Sequence, residues 1–137
     1  MHTILLQFLL TLAIYTLLDV VWFMLVLQPY FFESLSHLLN IRHGHVELRW
    51  FPAILVYVFL SLGLLLFVLP PSTLLYSLPV TIRGALYGCV VYGVYEMTNG
   101  ALLQKWPLPL YFIDILWGAL SSAVTAYIVS AMVPSLF

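Results

Sequence analysis

The sequence predicts an all-α membrane protein, a bundle of four transmembrane helices. Three observations predict it. The 137 residues are 64% hydrophobic and only 7% charged, whereas a soluble domain is about 45–50% apolar and about 25% charged. Four continuous apolar runs reach the ~20 residues that a spanning helix needs. Polar or proline-rich turns separate them. Continuous rather than alternating runs favour helices over a barrel, because in lipid each helix satisfies its own backbone.

The first run is Ile4–Leu27. It is too long for the apolar part of a secretion signal, no Lys or Arg precedes it and it contains Asp19, so it reads as a retained transmembrane helix. The second, Trp50–Leu69, stops at Pro70-Pro71. The third, Gly84–Leu103, follows Arg83, and the fourth, Leu108–Val133, follows Pro107. The whole chain, 1–137, reads as a single transmembrane domain. Loop basic residues orient such a chain. Arg42, Arg49 and Lys105 fall on one side against Arg83 on the other, which places both termini away from the cytoplasm.

The first loop, Gln28–Arg49, holds most of the charge together with His37, His43 and His45. Its His spacing fits no closed zinc pattern, so it reads as a solvated loop with no metal. Tyr30–Leu39 alternates aromatic and polar residues and reads as a short interfacial helix. Trp50, Trp106, Tyr30 and Tyr111 lie near helix ends, as interfacial anchors do. Cys89 is the one cysteine; it gives neither a disulfide nor a CxxC metal site and reads as a small buried apolar side chain. A net charge of −1 gives no basic field for nucleic acid.

Asp19, Glu96 and Asp114 fall inside the apolar runs. Ionisable groups there are costly and face the bundle interior, so they mark a functional site. Counting from the helix ends, each lies roughly 9–12 Å below the face that bears the first and third loops. Tyr57 of the second helix reaches a similar depth. The helix faces agree. Thr11, Tyr15 and Asp19 share a stripe, with Trp22 next in line. Gly84, Gly88, Tyr92 and Glu96 share another, flanked by Asn99 and opened by a GxxxG pattern. Asp114, Gly118, Ser121 and Thr125 form a third. Such small and polar residues suit helix–helix contact. Asp19-Val20-Val21-Trp22 and Asp114-Ile115-Leu116-Trp117 also echo one another as D-x-x-W, each placing carboxyl and indole on one face. The expected binding residues are therefore Asp19, Glu96 and Asp114, with Asn99 and Tyr57 as hydrogen-bond partners and Trp22 and Trp117 alongside. No Lys or Arg lies at that depth, so three close acids must share a proton or hold a cation.

Five segments carry a resemblance. Leu18-Asp19-Val20-Val21-Trp22, Pro52-Ala53-Ile54-Leu55-Val56-Tyr57, Tyr95-Glu96-Met97-Thr98-Asn99, Trp106-Pro107-Leu108 and Asp114-Ile115-Leu116-Trp117-Gly118 resemble, in order, the DUF2177 family of small membrane proteins. The sequence departs from that pattern in having Glu96 where Asp is expected, and in its first loop around Arg42-His43-Gly44-His45. The resemblance implies a four-helix membrane protein; it implies no activity, catalytic residue or cofactor.

Three functions fit. The carboxyls bind or transport a proton, cation or small solute, which expects a wet cavity reaching them from one face. An enzyme acting on a lipid expects a lateral apolar cleft. A structural or accessory subunit expects sealed, hydrogen-bonded carboxyls. The bilayer is the expected partner. Four helices leave little room for a private pathway, so a homodimer or a larger membrane complex is expected too.

Overall fold

The computed structural model describes residues 2–28, 35–43, 45–70, 75 and 77–133. Four helices carry the fold: α1 His2–Trp22, α2 Trp50–Phe67, α3 Val80–Leu102 and α4 Leu108–Met132. A π-helical stretch, Phe23–Leu27, continues α1. Between α1 and α2 lies a short antiparallel ladder, β1 Ile41–Arg42 against β2 His45–Val46, with Ile41 opposite Val46. Arg42 and Glu47 form an ion pair at 3.3 Å beside it. Of the expected interfacial helix, the described part is a turn in which Leu38 and Leu39 both donate to the Leu35 carbonyl; Tyr30 and its neighbours lie outside the described residues.

Three helices are long and apolar enough to cross a membrane: α1 with its π-helical extension, α2 and α4. α3 is of similar length and starts at Val80, four residues before the expected Gly84. Arg83 therefore lies inside the helix, where its Nη1 donates to the Pro70 carbonyl at 3.1 Å. Arg83, Glu96, Asn99 and several glycines make α3 the least apolar of the four. Its polarity is turned inward, since Arg83, Gly84, Gly88 and Glu96 are its buried residues.

The exposure pattern is that of a protein dissolved in lipid. Leu9, Leu17, Leu25, Phe59, Phe67, Phe112 and Leu116 are exposed, while Gln7, Thr11, Ser61, Glu96, Ser121, Ser122 and Thr125 are buried. In water the arrangement would be reversed; in a bilayer, polar groups gain only from facing one another. Exposed Cys89 corrects the expectation of a buried thiol: it follows Gly88 on α3 and points outward.

The helices run alternately up and down. α3 and α4 form the closest pair, antiparallel. Gly84 abuts Ser122, Ala123 and Ala126; Gly88 abuts Gly118 and Ser122; further along, Gly100 abuts Tyr111. A Cβ at Gly88 would meet the Gly118 carbonyl, and one at Gly118 would meet the Tyr92 ring. These glycines let the backbones approach closely enough for van der Waals packing to replace the hydrophobic driving force that lipid removes. α1 joins the pair through Tyr15, whose hydroxyl bonds Ser122 Oγ. Ser122 in turn donates to the Gly118 carbonyl at 2.6 Å. Tyr15, Leu60, Leu64, Val68, Leu69, Ala126 and Val129 pack around this chain as the apolar core. α2 is more peripheral and meets α3 where the Tyr87 hydroxyl donates to the Leu60 carbonyl at 3.1 Å.

Candidate functional site: three acids among the helices

The up-and-down packing brings Asp19 of α1 against Tyr92 of α3 and Trp117 of α4. The Tyr92 hydroxyl donates to Asp19 Oδ2 at 3.0 Å, and Trp117 Nε1 donates to Asp19 Oδ1 at 2.7 Å. One carboxyl thus ties three helices, and each oxygen accepts one bond.

Glu96 lies one turn beyond Tyr92 on α3, and Asp114 one turn before Trp117 on α4. All three acids thus lie within reach of one another where α1, α3 and α4 meet. Glu96 is fully buried and Asp114 is 9% exposed. Their carboxyls interact with one another, and Asp19 acts on Asp114 more weakly. Trp106 Nε1 donates to Glu96 Oε2 at 2.7 Å. Glu96 Oε1 and Asp114 Oδ1 are buried without a partner in hydrogen-bond geometry. No Lys or Arg contacts the pair: Arg42 is held by Glu47, Arg83 lies at the opposite end of the bundle, and Arg49 and Lys105 are exposed.

The two D-x-x-W segments meet across the α1–α4 contact. The Trp22 and Trp117 rings stack with centroids 4.4 Å apart and planes within 2°. Each indole reaches toward the other helix's acid: Trp117 bonds Asp19, and Trp22 lies against Asp114. The exchange is unequal, because Trp22 Nε1 misses hydrogen-bond geometry. The spacing shows that acid and indole share a face; only antiparallel packing crosses them.

Two expected partners fall outside the bonded set. Tyr57 lies near enough to Asp19 for electrostatic interaction but makes no hydrogen bond to it. Asn99 pairs with Tyr95 rather than with a carboxyl, and its Nδ2 is left without a partner. Two residues that do bond the acids were missed. Trp106, expected as an interfacial anchor, folds back from the tight α3–α4 turn onto Glu96, with Tyr95 edge-on to its ring at 6.5 Å. Tyr92 was placed on the Glu96 stripe, which was the available signal, but not against Asp19. Trp50 remains an exposed ring at a helix end, while Tyr111 packs on Gly100.

A cavity of about 330 Å³ lies above the Glu96–Asp114 pair, walled by Phe23, Leu35, Leu39, Tyr95, Asn99 and Trp106 among others. The π-helical turn supplies Phe23 and Leu27 to its lining; such turns are frequent at functional sites. A second cavity, of about 290 Å³, borders Asp19. Among the described residues, no group of three His, Cys, Asp or Glu side chains could hold a metal ion; the His45 side chain is not among them.

No curated protein and no solved structure matches the chain. A family model described as "Predicted membrane protein (DUF2177)" matches residues 4–131, almost the full length. The chain belongs to this DUF2177 family of integral membrane proteins.

Proposed function

We propose that the chain is a proton-binding module of the membrane, in which Glu96 and Asp114 share a proton and exchange it with the loop side in the service of proton or solute movement. One observation carries this reading: Glu96 Oε1 and Asp114 Oδ1 are buried together without a partner and without a basic neighbour. Two ionised carboxylates at this distance in low dielectric repel, whereas one shared proton turns the repulsion into a hydrogen bond. Two carboxyls are a small donor set for a metal ion, which favours the smallest occupant. The loop-side cavity shares one wall residue with the pair's surroundings, Trp106, which bonds Glu96.

The test is infrared spectroscopy of the protein in lipid nanodiscs. A protonated-carboxyl band is expected in wild type and absent in Glu96→Gln. Thermal stability is expected to be indifferent to added Na⁺ or Ca²⁺. Stability rising with ion concentration by mass action would replace the proton with a cation. A second reading, a structural or accessory subunit, draws on Asp19, whose two bonds across three helices are what interhelical glue requires. It expects neither the band nor the ion dependence.

A further inference from the structure

α2 and α3 touch near Tyr87, Gly63 and Leu60 and part toward the loop side. The cleft between them, about 290 Å³, is lined by Asp19, Val56, Leu60, Val91, Tyr92 and Tyr95. Val56 and Tyr95 are 51% and 55% exposed, so the cleft faces sideways toward lipid. Its chemistry is uneven: one carboxyl, two phenol rings and otherwise aliphatic walls.

Asp19 is pre-positioned in this cleft. Tyr92 and Trp117 each occupy one lone-pair site, and a carboxylate has about four, so it can accept further donors. Both present donors are neutral. No Lys or Arg among the described residues neutralises Asp19, and the Tyr57 hydroxyl lies close by without a hydrogen bond to it. A carboxyl set in an apolar cleft with aromatic walls suits a cation that is itself partly apolar and whose own charge holds the carboxyl ionised. An alcohol would bond without meeting the charge, and an anionic amphiphile would be repelled.

We infer that this lateral cleft binds an amphiphilic amine, a molecule with an alkyl or similarly apolar body and a protonated amino group. The ammonium sits on Asp19 beside Tyr57 and Tyr92. The apolar body follows Val91 and Leu60 toward the middle of the bilayer. Entry is sideways from lipid, since the Tyr95 ring separates this cleft from the loop-side cavity that it also lines. The site takes no ligand from Glu96 or Asp114, although Asp19 acts weakly on Asp114.

The test compares thermal unfolding in nanodiscs loaded with equal mole fractions of dodecylamine, dodecanol or dodecanoate. In wild type, dodecylamine is expected to raise the midpoint by several degrees and the other two much less. Val56→Trp, which fills the cleft from its exposed wall, is expected to lose that rise while keeping the ligand-free midpoint. Val91→Phe fills it from the α3 side should Val56→Trp fold poorly. Asp19→Asn is expected to erase the preference for amine over alcohol. Glu96→Gln is expected to keep the amine response, so a failed proton reading leaves this one standing. Equal shifts with amine and alcohol in wild type, or a full amine shift in a folded cleft-filling variant, would overturn the proposal.

Discussion

Asp19 has a donor on each carboxyl oxygen, Trp117 at 2.7 Å and Tyr92 at 3.0 Å. Glu96 has a donor on one oxygen only, and among the described residues neither its Oε1 nor Asp114 Oδ1 finds a hydrogen-bond partner. Both regions hold acid among helices and without a base, Asp19 half-buried at a cleft and Glu96 and Asp114 buried. They differ in what surrounds the charge. Around Asp19, two rigid aromatic donors replace water and hold the group as a structural clamp. Around Glu96 and Asp114, acid faces acid. Burial alone does not tell a satisfied acid from an unsatisfied one; the count of donors does.

Deleting the clamp gives the largest expected effect. Asp19→Leu leaves the Trp117 N–H and the Tyr92 hydroxyl without an acceptor, and an orphaned buried donor costs about 1–3 kcal/mol. Together they predict a loss of about 2–6 kcal/mol in detergent-unfolding titrations. A variant as stable as wild type would break the comparison at its stronger end.

The crossed indoles give a paired measurement. Trp117→Phe removes a bond to a carboxylate, for which about 1.5–3 kcal/mol is expected. Trp22→Phe removes a ring nitrogen that makes no such bond, and should cost under about 1 kcal/mol because the stack survives. Equal losses would show that the two D-x-x-W segments are equivalent after all.

Glu96→Gln is expected to change stability by less than about 1 kcal/mol, since the amide keeps an acceptor for Trp106 and offers Asp114 a donor in place of the proton. Measured beside Asp19→Leu, it separates a group held for its function from one held for its bonds. A loss as large as that of Asp19→Leu would move Glu96 into the structural class. The smallest effect belongs to Cys89→Ala, within about 0.5 kcal/mol, as for surface substitutions away from special features. Labelling with a lipid-soluble maleimide should reach this outward-facing thiol in the folded protein.

The sequence by itself determined the class of solvent and the helices. Apolar runs of spanning length leave the chain no soluble fold, and in lipid each run must close its own hydrogen bonds. It also determined which faces are packed. The Gly84–Gly88 and Asp114–Gly118–Ser121 stripes are local facts of 3.6-residue periodicity, and they are the faces that α3 and α4 bury against one another. Only tertiary structure decided who bonds whom. Equal counts from helix ends bring Asp19, Glu96 and Asp114 to similar depths, but such counting does not say which donor each carboxyl meets. The crossing of Trp117 onto Asp19 depends on the antiparallel approach of α1 and α4, 98 residues apart along the chain. Trp106 reaches Glu96 because the α3–α4 turn, with Lys105 at φ 60°, folds it back inward, and no pattern of hydrophobicity encodes that direction. Arg83 precedes the third apolar run yet lies within the helix, because its long side chain reaches the Pro70 carbonyl at the bundle's end. Periodicity fixes the face of a helix; the pairing of faces, and with it the difference between a satisfied acid and an unsatisfied one, arises only when the helices meet.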